Sequence, residues 1–229
     1  ILAFDFGASS GRAIIGHFDG KKIELEEIHR FLNEPVEVNG ALYWDILRLY
    51  HELKQGIIKA DQAGGVDSMG IDTWGVDFGL IGKDGQLLAN PFHYRSSHTE
   101  NAVAMLEEVL SKDELFAETG LAFQKFNTLC QLVVMQKNDN LALKYADCAL
   151  FIPDLFVYFL TGKKTCEFSI ASTSQLIRPG KNEFSDKIFK AYGLKNLFPA
   201  ITSPGTVVGN VTKEVADELD LKHELKVIS

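Results

Sequence analysis

The residues Asp5-Phe6-Gly7-Ala8-Ser9-Ser10-Gly11-Arg12 combine types that could hold a phosphate. An apolar run ends in a carboxylate, and a row of small residues follows. Small residues let a backbone approach a ligand closely. Successive turn N–H groups form a concavity for an anion, and the hydroxyls of Ser9 and Ser10 add donors. Asp5 would suit Mg²⁺, directly or through water, and Arg12 could reach a phosphate oxygen. The same residues also read as a glycine-rich hairpin whose serines satisfy their own backbone. Pattern alone does not separate the two. No Gly-Lys-Ser/Thr follows, so this is not a Walker A loop, and it is not GxGxxG.

Gly70-Ile71-Asp72-Thr73-Trp74-Gly75-Val76-Asp77-Phe78 is the second constellation. Asp is disfavoured within strands, and a buried carboxylate is costly unless paired. Asp72 and Asp77 are therefore expected to face a site or a strong donor. Trp74 could offer a flat face to a sugar ring, and Gly75 could admit a ligand to the backbone. The alternative is a bulge at Gly75 beside a core Trp. Tyr94-Arg95-Ser96-Ser97-His98-Thr99 carries polar donors in a loop before a helix, where Arg95 could bind a hydroxyl or an acidic side chain, or simply be solvated. Asp154 reads as a helix cap. The stretch Glu167–Gln175 is rich in hydroxyls and reads either as cleft lining or as a connector. The histidines show no metal-ligand spacing.

Elements must hold these groups in place. Ile1–Phe6, Arg12–Phe18 and Lys22–Phe31 read as three successive strands, with Asp19-Gly20 as a hairpin turn. Pro35–Gly40 reads as a loop. Ile46, Leu49, Tyr50, Leu53, Ile57 and Ile58 recur at helical spacing behind Asp45 as cap, and Gly64-Gly65 ends that helix. Ser68–Trp74 returns as a strand and Asp77–Ile81 forms another, turned back at Lys83-Asp84-Gly85. Helices are expected at 101–110, 113–118, 129–137, 142–145, 153–160, 184–192 and 212–219, and a last strand opens at Leu225. The order is α/β with mixed strand directions, without strict βαβ alternation.

The chain has 229 residues, 46% hydrophobic and 24% charged, with formal net charge −8. It can bury a sizeable core as one large domain or two small ones. The acidic balance argues against nucleic acid or an anionic membrane as main partner, and no apolar run reaches the length of a membrane span. Cys130, Cys148 and Cys166 are widely spaced and odd in number, which points to reduced thiols in a cytoplasmic protein. Both ends read as cut within elements.

Taken together, DFGASSGR at 5–12, EIHRF at 27–31, Trp44-Asp45, GIDTWGVDF at 70–78, Tyr94-Arg95, FNTL at 126–129 with Gln131-Leu132, Pro153-Asp154, LTG at 160–162, ASTSQ at 171–175 and Pro204-Gly205 resemble the FGGY carbohydrate kinases. They run in family order along the whole chain. The resemblance implies an actin/hexokinase-like (ribonuclease H-like) ATPase lobe: a mixed sheet with flanking helices, residues 1–229 being the N-terminal lobe and the C-terminal lobe lying outside the chain. It implies ATP and Mg²⁺ as cofactors and a small sugar as substrate, with the 1-hydroxyl of L-rhamnulose as the acceptor it points to. Xylulose, fuculose or glycerol kinases, or a sensor domain that binds without turnover, are the alternatives. By the same resemblance Ala8, Ser9, Ser10, Gly11 and Arg12 contact ATP phosphates, Asp5 orients the metal, and Gly75, Trp74, Asp77 and Arg95 serve the sugar. The general-base Asp is expected just after Ser229, so these residues alone are expected to be inactive. The family writes Tyr-Arg-Asp-x-Arg-Thr where this chain has Ser96 and His98.

Overall fold

A computed structural model describes residues 1–229. The chain opens with strands β1 (Leu2–Phe6), β2 (Ser10–Phe18) and β3 (Ile23–Leu32), then β4 (Val36–Val38) and β5 (Ala41–Tyr43). Helix α1 (Ile46–Gln62) leads to β6 (Ser68–Thr73) and β7 (Phe78–Ile81). After a 3-10 turn at Ser97–Thr99 come α2 (Ala102–Glu107), α3 (Lys112–Thr119), α4 (Thr128–Lys137) and α5 (Leu141–Tyr145). Then follow β8 (Cys148–Phe151), α6 (Ile152–Thr161), β9 (Cys166–Glu167), α7 (Phe168–Ala171) and a 3-10 turn at Ser172–Ser174. The chain closes with α8 (Asp186–Ala191), β10 (Ile201–Thr202), β11 (Val207–Asn210), α9 (Lys213–Glu218) and β12 (Lys226–Ile228).

Six strands form the main sheet in the order β11-β12-β6-β1-β2-β3. β1 is antiparallel to β2 and parallel to β6, so the sheet is mixed as expected. Alternation along β1 explains its two faces. Leu2, Phe4 and Phe6 are buried, while Ala3 and Asp5 point the other way. Helices α1 and α6 cover the buried face. The Phe6 and Phe156 rings stack with centroids 5.0 Å apart. A Cβ on Gly56 of α1 would sit 2.5 Å from the Phe4 ring, so the helix lies this close only because position 56 has no side chain. Asp45 caps α1 by accepting from the Arg48 N–H at 3.2 Å, and Ile46, Leu49, Leu53, Ile57 and Ala60 form its buried stripe. A second core gathers around β7, β8, α2, α4 and α8, with Phe78, Leu106, Leu129, Phe151 and Phe189 inside.

Three expectations need correction. The 35–40 loop holds strand β4, which pairs with β5 across Asn39-Gly40, both at positive φ (51° and 77°). That is the backbone shape Asn-Gly favours in two-residue hairpins. Strand β7 begins one residue later than expected and leaves the main sheet, pairing instead with β8. Strands β8 and β11 carry no separate signal in the sequence, because their short apolar runs merge into neighbouring segments.

Candidate functional site

Register across the main sheet sets the first part of the site. Arg12 on β2 lies beside Asp5 on β1, and Asp5 lies beside Asp72 on β6. The guanidinium of Arg12 meets Asp5 Oδ2 through Nε at 2.9 Å and Nη2 at 2.8 Å. Burial, and next the neighbouring Asp5 charge, raise the Asp72 carboxyl above its usual range. The turn from Gly7 to Ser10 closes with Gly7 N–H donating to the Ser10 carbonyl at 2.9 Å. Asn33 braces it by donating from Nδ2 to the Gly7 carbonyl at 2.8 Å and from its N–H to the Ser9 carbonyl at 3.0 Å. The hydroxyls of Ser9 and Ser10 make no hydrogen bond within the chain, unlike the hairpin alternative in which they would satisfy their own backbone. Gly11 has a packing reason: a Cβ there would lie 2.2 Å from the Phe31 ring.

The turn after β6 is the second part. Asp77 N–H donates to the Gly75 carbonyl at 2.8 Å, which forces Val76 to φ 66°. A β-branched residue in the left-handed region is strained, at a cost of about 1–3 kcal/mol, and persists only when its surroundings hold it. Here Thr173 Oγ1 accepts from the Val76 N–H at 3.0 Å. The Val76 carbonyl accepts from Thr128 Oγ1 at 2.7 Å. The Thr173 side chain also fills the space a Cβ on Gly75 would need, at 2.9 Å. Gly75 therefore answers first to Thr173, a neighbour that sequence reasoning did not pair with it.

Asp77 lies one layer behind this turn, 0% exposed. Its Oδ2 accepts from Trp44 Nε1 at 2.6 Å, Trp74 Nε1 at 3.1 Å and Tyr94 N–H at 3.0 Å, and its Oδ1 accepts from Gln131 Nε2 at 2.8 Å. Burial pushes Asp77 up to about 7 against these four donors. The expectation of a strong donor is met several times over. The expectation that Asp77 itself serves the sugar needs revising, because no part of it is open to a ligand. The Trp44 and Trp74 rings stack at 3.7 Å between centroids, and His93 stacks on Trp44 at 3.9 Å.

A cleft of about 470 Å³ opens beside these parts. Asp72, Thr73, Gly75, Asp154, Glu167 and Thr173 are on its walls. Of the two readings of the hydroxyl-rich stretch, cleft lining is the one the structure adopts, at Ser169 and Thr173. Asp154 does not cap α6; it sits in that helix's first turn and accepts from Thr165 Oγ1 and the Glu167 N–H. Burial raises it to about 7. The turn at Ala8–Arg12 stands next to the cleft through the Asp5 and Asp72 pairing and does not line it. Arg95 is exposed, lies over the Tyr94 ring at 5.2 Å, and does not line the cleft either. Ser96 is buried and accepts from the Leu42 N–H at 3.1 Å. His98 stacks on Phe92 at 4.1 Å, and burial lowers it to about 4.

The sequence profile of the FGGY family of carbohydrate kinases, N-terminal domain, matches residues 1–229. This chain belongs to the FGGY family of carbohydrate kinases. It is 43% identical over 216 residues to the rhamnulokinase of Bacteroides thetaiotaomicron, covering 93% of this chain and 44% of that protein. It is 36% identical over 221 residues to the rhamnulokinase of Bacillus subtilis, covering 96% of this chain and 45% of that protein. The chain spans about half the length of the curated relatives it matches. Among solved structures, a ligand-bound xylulose kinase from Lactobacillus acidophilus superposes with a TM-score of 0.87 at 14% identity, over 99% of this chain and 46% of that one. A glycerol kinase from Plasmodium falciparum with ADP superposes at 0.77 and 17% identity, over 99% and 47%. Those likenesses establish the actin/hexokinase-like fold of the FGGY kinases.

Proposed function

We propose that this chain forms one wall of the active cleft of an ATP-dependent kinase that phosphorylates the 1-hydroxyl of L-rhamnulose. The observation that carries the reading is the side-by-side register of Arg12, Asp5 and Asp72 next to the Trp74-Gly75 turn. On this reading the register would bring the phosphate-binding turn beside the sugar-binding wall. The rhamnulokinases among its relatives support the choice of ketose.

The N–H groups and hydroxyls of the Ala8–Gly11 turn would hold phosphate oxygens, with Arg12 beside them. Mg²⁺ keeps several waters and binds through one or two carboxylates plus phosphate oxygens, and a carboxylate stands beside the turn on β1. Asp5 would be that carboxylate. When bound, Mg²⁺ would offset the charge on the phosphate groups. Gly75 and Trp74 would meet the sugar, and Arg95 is proposed to serve it from outside the cleft lining. Phosphoryl transfer depends on positioning and charge stabilisation, and these residues supply both. The proton acceptor and the adenine contacts are proposed to come from the remaining half of the length seen in relatives. Residues 1–229 alone are then inactive.

The test is a substrate panel on the full-length protein. L-rhamnulose should give a kcat/KM far above those of xylulose, fuculose and glycerol. Equal rates on those sugars would reject the ketose assignment. Binding of L-rhamnulose without turnover would replace the kinase with a sensor, the reading the Ser96 and His98 departures favour.

A further inference from the structure

We propose that Asp77 is a positioning residue for the cleft wall: it touches no substrate and acts by fixing the indole of Trp74. This rests on the reading of the cleft as a sugar site. Trp74 does not itself line the cleft; it packs against the core behind Thr73 and Gly75, which do, and so backs that stretch of the wall. It is the partly exposed outer member of a stack whose inner members, Trp44 and His93, are buried. Stacking on Trp44 sets the tilt of the indole. The bond from Trp74 Nε1 to Asp77 Oδ2 sets its rotation within that plane.

Every polar group that faces the anchor is a donor. Three N–H donors converge on Oδ2 and a fourth reaches Oδ1, with no acceptor facing either oxygen. Gln131 cannot reverse its amide to suit another residue. Its Nε2 also lies 3.0 Å from the Phe126 carbonyl and 3.4 Å from the Val76 carbonyl, so a flipped amide would set oxygen against oxygen. An Asn at position 77 keeps the shape, yet its NH₂ must face donors on one side or the other. Asp77→Asn therefore loosens the indole without opening a cavity.

A double-mutant cycle in the full-length protein separates this role from the others. Losing a hydrogen bond to a charged group corresponds to about tenfold, so Asp77→Asn should raise the KM for L-rhamnulose by about that factor. The KM for ATP should stay within about twofold by the same arithmetic. In a Trp74→Phe background, which has no indole N–H to hold, Asp77→Asn should add almost nothing to the sugar KM. Fold-changes that multiply, or an equal rise in both KM values, overturn the proposal. If Asp77→Asn does not fold, Gln131→Leu frees Oδ1 and should raise the sugar KM in the parent but not in Trp74→Phe; an equal rise in both overturns it.

If no sugar saturates the parent protein, the function proposed above fails, and the positioning is then read by circular dichroism. The difference spectrum between the parent and Trp74→Phe should show the coupled-indole signal of the stacked pair. Asp77→Asn should abolish that signal. Its survival would overturn the proposal.

Discussion

A methyl group tells apart the glycines around the site. At Gly11 it would lie 2.2 Å from the Phe31 ring, and at Gly70 it would meet nothing within 4 Å. Gly11→Ala should cost about 1–3 kcal/mol through overpacking, while Gly70→Ala should stay within about 0.5 kcal/mol, both read by chemical denaturation. Gly75→Ala collides with Thr173. Thr173→Ser removes the methyl and keeps the hydroxyl for the Val76 N–H, so the double variant should recover part of the stability lost by Gly75→Ala. Asp77 gives a pH signature. Its carboxyl is raised from 3.8 to about 7 in the fold, so between those values the folded state holds a proton the unfolded chain has released. That stabilising term is full below pH 3.8, fades as pH rises to about 7, and is flat above. The groups that act on Asp77 are the donors of Trp44, Gln131, Tyr94 and Trp74, all uncharged and all opposing the shift that burial causes. The stability difference between the parent and Asp77→Asn should follow this curve in melts taken across the range; a difference independent of pH would contradict it.

At the scale of elements, α1 shows what local sequence dictates. Its cap, its apolar stripe and its glycine stop all lie within the helix and its flanks, so both ends were readable. Asp45→Ala should cost about 1 kcal/mol through loss of the cap, measured by thermal melting. Strands β4, β8 and β11 were not readable, since three or four residues hold too little alternation to mark a period. For β8, Cys148–Phe151 runs straight into the apolar start of α6, and only pairing with β7 separates strand from helix. Asn39-Gly40 did carry a hairpin signal, the one local cue available for β4. The Asp5–Arg12 turn and the Trp74-Gly75 pair were legible because each is continuous in sequence. The setting of Asp77 was not. Its partners Trp44, Tyr94 and Gln131 lie 33, 17 and 54 residues away and meet only in the fold.

Across the whole molecule, helices cover one face of the main sheet and leave the other uneven. Its edge strand β3 and the adjoining β2 expose Phe18, Ile23 and Leu25, with Ile1 next to them. Contiguous apolar surface on an edge strand favours association. Leu25→Lys should reduce self-association of residues 1–229, as followed by sedimentation, and leave the melting temperature nearly unchanged because Leu25 is 73% exposed. An unchanged sedimentation profile would show that the patch is inert.

The Asp5 and Arg12 ion pair carries a further consequence. An arriving anion asks for the guanidinium, and an arriving cation asks for the carboxylate. Either alone strands the partner it leaves behind, whereas both together let the two side chains trade one another for new company. Coupling of this kind is reciprocal. The cation should strengthen the hold on the phosphate by the same factor that the phosphate strengthens the hold on the cation, and Asp5→Asn should shrink both factors alike.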